Sequence, residues 1–511
     1  MWSAEEFYNS KLLWITFFVV SIYLYLKWVV FGYWKRLGVP YEEPIVPVGN
    51  LYESLVKNVS FGDFFKRSYM KSKHFRYYGI YMFHQPHLVI TDPELIRLVL
   101  NKEFSHFPDR GLYLNEKVDP VSAHLFLLGG EKWKNLRSKF SPSFTSGKMK
   151  QMFFVMTECA EELAKCLDDT AKISKVVDIK DIIIRYTMDI ISSAAFGLNS
   201  NSLKDPNNGF HYYGEKTFRS QPMRNLIVFF APSLAYLVKL RFLEKSISDF
   251  FIRFFSDVVK MRKEKNIIKK DFLNELMQLI DRGYTDDDEG NPNKPKSSTG
   301  ALTMLEGTAQ AFLIFVAGFE TSSSTVSFCM YELALHPEIQ DKLCEEIDVT
   351  LKKHGSLSYD SLTEMTYLQK VVSETLRKYP PVPMLNRICT KDCDLPSMDL
   401  HISKGMKLII PVVGLHYDSN IYPDPDKFDP ERFSPENVAS RNSFTYLPFG
   451  EGPRFCIGNR FGLMQVKVAL VTMLSRYRFS VCDKTEIPIT YSPGVPVQRP
   501  RNGIYLEIKA R

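Results

Sequence analysis

Apolar residues crowd the first stretch of the chain. From Leu12 to Leu26 only Thr16 and Ser21 interrupt them, and after Lys27 the run resumes through Trp28, Val29, Val30, Phe31 and Tyr33 to Trp34. That length suits a bilayer-spanning helix in which Lys27 snorkels or faces protein. Glu5 and Glu6 ahead of the run, and bulky aromatics behind it, fit an uncleaved anchor over residues 1–36 better than a cleaved signal peptide. Lys27, Lys35 and Arg36 on its C-terminal side put the body of the protein in the cytoplasm, with Trp28, Tyr33 and Trp34 at the interface. Prolines 40, 44 and 47 then forbid helix continuation, so residues 37–50 read as a stiff hinge ahead of a globular body over 51–511.

Within the body the pattern changes period. His87 to Thr91 reads as a short strand and Asp92-Pro93-Glu94 as a capped helix start. From about Ser141 to Tyr379 helical spacing dominates, best defined over Met149–Asp168, Ile179–Phe196, Leu243–Lys263 and Gly300–Leu335. A further helix runs from Met365 to Lys378, stopped by Tyr379-Pro380-Pro381, and another from Phe461 to Tyr477. The charged, proline-containing stretch from Asp281 to Pro295 reads as an exposed loop. Leu226 to Phe230 is too short to span a bilayer and is either a core helix or a segment that dips into a membrane. The expected architecture is mainly α with a smaller β region, plus one N-terminal transmembrane helix.

Composition narrows the class. Hydrophobic residues are 45% of the chain and aromatics 14%, ample for a large core and an apolar cavity, so wholesale disorder is excluded. The eight cysteines have no regular spacing, which argues for a reducing, cytosol-facing compartment over a disulfide framework. Cys389 and Cys393 lack a second ligand pair for zinc. The net charge of +7 is spread along the chain, and no nucleic-acid-binding signature accompanies it.

Chemistry concentrates near the C-terminus, in Pro448-Phe449-Gly450-Glu451-Gly452-Pro453-Arg454-Phe455-Cys456-Ile457-Gly458. Glycines at 450, 452 and 458 let the backbone fold tightly around one cysteine just ahead of a helix. There the macrodipole and free amides favour a thiolate suited to a metal, whereas the blander reading is a structural cysteine in a turn. On the helix over 300–335, Ala317 and Thr321 share a face and Gly318 removes bulk beside them, opening a groove. The Thr321 hydroxyl and Glu320 carboxylate are a candidate proton path. Glu374 and Arg377, three apart, can pair on one helix face. Trp133 and Arg137, four apart, share another.

The cysteine segment is similar to the haem-ligand loop of the cytochrome P-450 superfamily, in which a thiolate binds haem iron and promotes O–O cleavage. The resemblance extends in order through the anchor, the hinge, Trp133-x-x-x-Arg137, Ala317-Gly318-x-Glu320-Thr321, Glu374-x-x-Arg377 and Pro430-Glu431-Arg432-Phe433. It implies the cytochrome P-450 fold and haem b with Cys456 as axial ligand and Phe449 beside it. By the same resemblance Trp133, Arg137, Arg454, Arg387 and Arg110 contact the haem propionates. Glu374, Arg377 and Arg432 form a structural network, and Leu313, Val316, Ala317, Val382, Leu385 and Val495 line the substrate pocket.

The implied activity is insertion of one oxygen atom of O2 into a lipophilic substrate, with electrons from NADPH through a separate NADPH-cytochrome P-450 reductase and cytochrome b5 as a second candidate donor. Lys132, Lys134 and Lys139 are either a docking face for an acidic donor or solvated charges. The anchor resembles that of microsomal members at the endoplasmic reticulum membrane, and Ser141 to Lys150 looks like the insect detoxification branch and its vertebrate drug-metabolising relatives. The alternatives are a reductase-independent haem-thiolate isomerase or dehydratase, against which Thr321 speaks, and a membrane-anchored haem sensor or carrier.

Overall fold

A computed structural model describes residues 4–285, 300–395 and 400–511, so the loop expected at 281–295 lies outside the described residues from position 286 onward. In chain order the helices that matter for the site are α1 (Ala4–Tyr25), α2 (Gly130–Phe140), α3 (Ser146–Ile173), α4 (Ile179–Phe196), α5 (Gly209–Thr217), α6 (Pro222–Phe230), α7 (Lys245–Glu264), α8 (Met304–Leu335), α9 (Thr366–Lys378) and α10 (Asn459–Leu474). The expected helical segments therefore stand, with shifted ends. The last one is corrected: helix ends at Leu474, and Tyr477–Val481 is a strand.

Local chemistry explains these boundaries. Asp178 caps α4 by accepting from the amides of Lys180 and Asp181, and Gly197 ends it in the left-handed region at φ 57°. Thr303 and Glu306 form a reciprocal capping box at the start of α8. Asp92 caps the short helix that begins at Pro93, as its sequence predicts. With both ends fixed, α8 crosses the centre of the body against α4, α10, α9 and α7.

Strands occupy the periphery. β1 (Tyr77–Met82), β2 (Gln85–Ile90), β4 (Leu385–Ile388) and β7 (Lys407–Ile410) form one sheet in the order β1-β2-β7-β4. It is antiparallel except where β2 runs parallel to β7, with His87 opposite Lys407. β3 (Val176–Asp178), β9 (Tyr505–Ala510) and β8 (Tyr477–Val481) make a second, antiparallel sheet, and β5 (Cys393–Asp394) pairs with β6 (His401–Ile402).

The N-terminal helix continues from α1 through a π-helical turn at Leu26–Val30 to Tyr33–Arg36. Residues Lys11–Arg36 are long and apolar enough to cross a membrane, and Leu12, Trp14 and Phe17 stand exposed. The end of this helix is not free. Trp34 is fully buried, its indole donating to the Ile80 carbonyl at 3.2 Å and packing so closely on Gly79 that a Cβ there would lie 2.4 Å from the ring. The following segment is stitched along β1 by Gly79 N–H to Pro40 O at 2.7 Å and Glu42 N–H to Gly79 O at 3.0 Å. Trp34→Phe removes the indole hydrogen bond to the Ile80 carbonyl and is expected to lower stability by about 1 kcal/mol, measurable by denaturant unfolding. An unchanged midpoint would show that the indole hydrogen bond holds nothing.

Of the ambiguous patch, Leu226, Val228 and Phe230 are buried, so α6 is a core helix. Exposed apolar surface lies instead on Met223 and on Leu234, Tyr236, Leu237 and Val238 just beyond it.

Candidate active site

The loop before α10 is shaped by two glycines. Gly450 and Gly452 sit at φ 72° and 74°, where a side chain is strained, and a Cβ on Gly452 would lie 2.0 Å from the Leu100 carbonyl oxygen. Gly458 has an ordinary φ of −94° and serves as N-cap of α10, so its role is proximity and not backbone freedom. Cys456 N–H donates to Phe449 O at 3.0 Å, closing the loop, and the Phe449 and Phe455 rings lie 6.3 Å apart. Cys456 is accessible at its surface and yet enclosed by protein, which places it on the wall of an internal site. Burial pushes its thiol up, while the Gly458 amide and then Arg137 and Arg110 act the other way.

The opposite wall is α8. Ala317 is exposed and Leu313, Val316, Gly318 and Thr321 are partly so, midway along a helix whose other residues are largely buried. Such exposure in the middle of a core helix marks a cavity face. The Thr321 hydroxyl donates to the Ala317 carbonyl at 2.7 Å, as the shared face predicts. α10 meets α8 here, a Cβ on Gly462 lying 3.6 Å from Ser322 Oγ. Val382 and Leu385 are also partly open, and the Leu385 side chain approaches within 3.7 Å of a Cβ on Gly450, whereas Val495 is buried.

Glu320 points elsewhere. Its Oε1 accepts from Lys180 Nζ of α4 at 2.9 Å and from Ser324 at 3.1 Å, with Arg499 Nε at 3.8 Å, and Oε2 has no partner. Burial opposes its charge, yet Arg499 and Lys180 hold the carboxyl below its usual range. Arg499 also binds Glu215 of α5 at 3.0 Å. The sequence argument did not identify Lys180, Arg499 or Glu215. A lysine on the apolar face of α4 was the one available signal for them.

Four arginines cluster here: Arg137 and Arg110 act on Cys456, and Arg387 and Arg454 crowd Arg110. Arg454 donates to Pro108 O at 2.8 Å, Leu128 O at 3.0 Å and Asp109 Oδ1 at 3.1 Å, and its guanidinium lies 3.8 Å over the Trp133 ring. Arg110 donates to Phe126 O at 3.2 Å, Arg387 Nη1 to Asn386 O at 2.8 Å, and Arg387 Nε is buried without a partner. Burial first, then mutual repulsion, pulls Arg110 to about 10, Arg387 to about 9 and Arg454 to about 8. A guanidinium stays protonated near neutrality, so an anion placed among them would relieve this crowding. Among the described residues Asp109 is the one carboxylate paired with the four, which leaves room for a group carrying two carboxylates.

The structural network lies behind this wall. Arg377 donates to Glu374 twice, at 2.7 and 2.8 Å, both side chains fully buried, and to His416 O and Pro425 O. Arg432 Nε stands 3.5 Å from Glu374 Oε1. Of the basic residues around Trp133, Lys139 is buried and Lys132 pairs with Glu116 at 3.0 Å, so Lys134 is the exposed one that meets no carboxylate among the described residues.

Comparison with known proteins agrees with this geometry. The family model described as Cytochrome P450 matches residues 40–507. The chain is 42% identical over 490 residues to a protein named Probable cytochrome P450 6a14 from Drosophila melanogaster, covering 94% of this chain and 96% of that one. It is 40% identical to Cytochrome P450 6A1 of Musca domestica, covering 98% of each. It is 39% identical to Cytochrome P450 6k1 of Blattella germanica, covering 96% and 94%. With a thiol on one wall, a notched helix on the other and a cationic cluster between its edges, this chain belongs to the cytochrome P450 family of monooxygenases.

Proposed function

We propose that the chain is a membrane-anchored haem-thiolate monooxygenase that inserts one oxygen atom of O2 into lipophilic substrates, xenobiotics among them. Electrons come from NADPH through a separate reductase, with cytochrome b5 as a second donor. The observation that carries the reading is the enclosed but accessible Cys456 thiol just ahead of α10, the helix that packs on α8 beside its Ala317 notch.

The residues fit haem b. Cys456 would hold the iron, Phe449 would pack beside it, and Trp133, Arg137, Arg110, Arg387 and Arg454 would take the two propionates, satisfying the buried cations described above. When bound, the haem supplies the O2-activating chemistry. The chain's own residues position and protonate. Ala317 leaves space on α8, while Leu313, Val316, Val382 and Leu385 present apolar surface to the substrate; Val495, being buried, packs behind them and not on the pocket surface. The Thr321 hydroxyl donates to Ala317 O and keeps its lone pairs free to accept a hydrogen bond from a proton donor in the cavity. Glu320, turned to Lys180 and Arg499 and held by them below its usual range, stays a carboxylate and ties α8 to α4 instead of carrying the proton itself.

In Thr321→Ala the hydroxyl is gone and the helix is kept. Product formation is expected to fall about 100-fold while NADPH oxidation continues, with hydrogen peroxide accounting for the difference. Unchanged coupling of NADPH to product would remove Thr321 from proton delivery.

The exposed apolar helix Lys11–Arg36 supports insertion in the endoplasmic reticulum membrane, and Lys27, Lys35 and Arg36 on one side support a cytosolic body. The apolar residues Met223, Leu234, Leu237 and Val238 suit contact with the same bilayer. Lys134 is the exposed cation that best suits an acidic donor.

A further inference from the structure

Cys389 and Cys393, which lack the further ligands of a zinc site, meet each other in the structure. Cys389 prolongs the ladder between β4 and β7 past Ile388, its amide donating to Met406 O and its carbonyl accepting from the Gly405 amide, both at 2.8 Å. Cys393 opens β5 and lies opposite Ile402 of β6. The same Ile402 receives Cys389, whose thiol donates to its carbonyl at 3.6 Å and to that of Lys391 at 2.8 Å. Two sulfurs four residues apart are thus gathered at one residue, and a hydrogen bond joins them. No group of three metal-ligating side chains forms among the described residues, and both cysteines are free thiols.

The surroundings give the two thiols different roles. Cys389 is buried, whereas Cys393 is half-buried between the exposed Asp392 and Asp394, so a small solute reaches the pair from the surface. Burial raises both thiols, but the Lys391 backbone and the Cys393 thiol act the other way on Cys389. Cys393 is pushed up to about 12 by burial, by Cys389 and then by Glu103 and Asp394. The first proton lost from the pair therefore comes from Cys389, and its thiolate is left with a thiol at hydrogen-bond distance. The pair also adjoins the site. Arg387 lies two residues back on β4, Ile388 N–H donates to Asp109 O at 2.9 Å, and Thr390 donates to His106 O through its amide at 2.8 Å and its hydroxyl at 3.1 Å.

A thiolate in contact with a second thiol is set to stop at a disulfide before it oxidises further. We propose that Cys389 and Cys393 are a reversible modification site for hydrogen peroxide. The Cys389 thiolate attacks one peroxide oxygen, the O–O bond breaks, and the departing hydroxide takes a proton to become water while Cys389 becomes a sulfenic acid. The Cys393 sulfur then attacks the Cys389 sulfur, and its proton leaves with the hydroxyl as a second water. Two thiols are oxidised to one disulfide and one peroxide is reduced to two waters. The supply of peroxide rests on the monooxygenase reading, whose uncoupled turnover releases it; the bond itself needs the two sulfurs alone.

The test adds hydrogen peroxide to the full-length holoenzyme in neutral detergent, quenches with an alkylating agent and maps every cysteine by peptide mass. In wild type the segment from 389 to 393 is expected to lose two hydrogen atoms and alkylation of both sulfurs to fall at least about 10-fold, with dithiothreitol restoring it. In Cys393→Ser, Cys389 is expected to be trapped as a sulfenic acid by dimedone and, left untrapped, to pass on to the sulfinic acid. In Cys389→Ser, Cys393 is expected to stay open to alkylation. Three results overturn the proposal: unchanged alkylation of the wild-type pair, a sulfinic acid at Cys389 in wild type, or a disulfide from either sulfur to a different cysteine. The reduced, CO-bound spectrum separates the two readings. A normal spectrum without the disulfide removes the role of the pair alone, whereas a disulfide in a protein whose spectrum lacks the thiolate red shift removes the haem-thiolate assignment alone.

Discussion

Cys456→Ser is expected to give a folded protein whose reduced, CO-bound absorption lacks the thiolate red shift and whose monooxygenation falls at least about 1,000-fold. The loop itself is held by Gly450 and Gly452 in the left-handed region and by the Cys456 N–H to Phe449 O bond, none of which needs the sulfur. Serine therefore keeps the shape and removes the ligand. At neutral pH its hydroxyl is protonated, while the Gly458 amide, Arg137 and Arg110 all lie where they favour a thiolate once iron binds it. A red-shifted band or sustained turnover in Cys456→Ser would move the axial ligand to another residue.

Glu374→Ala is expected to cost about 3–5 kcal/mol of stability. The Arg377 guanidinium is fully buried and bound to Glu374 at two points, so truncating the carboxylate leaves an uncompensated cation with the His416, Pro425 and Lys427 carbonyls as its remaining acceptors. The Asp429 amide also loses its acceptor, a bond of 2.9 Å, and Arg432 loses the charge at 3.5 Å. Denaturant unfolding of the apoprotein and haem retention on heating both read the loss. A substitution with no change in either would mean that the network is carried by the backbone carbonyls instead. Because such a pair is costly to bury, Glu374→Met with Arg377→Met should recover much of what the single change loses.

Helices with a strong apolar face and a defined cap were readable from the chain alone. Ile179–Phe196 was expected at the bounds found, because Asp178 and Gly197 mark its ends chemically. The helix from Phe461 was expected to run too far, because apolar residues continue at 477 and 479 while their period changes from the helical one to alternation, which a single window blurs. At the site, the contacts that follow from local spacing are present: Thr321 with Ala317, and Glu374 with Arg377. Residues whose neighbours come from distant segments did not. The spacing in α8 says nothing of Lys180 and Arg499, which fix where Glu320 points, nor of Asp109, which meets Arg454 from far upstream.

Trp34 gives the apolar N-terminal helix a different mechanical character from that of a tether. A flexible leash would let the body pivot and sample many attitudes above whatever surface holds the helix. Here the last turn of the helix is keyed into β1 by a buried indole and the next residues run on as part of the same sheet edge. Helix and body turn together, so the tilt of one sets the heading of the other. The side of the protein that would meet a bilayer is thus set by a joint inside the protein, before any lipid is encountered.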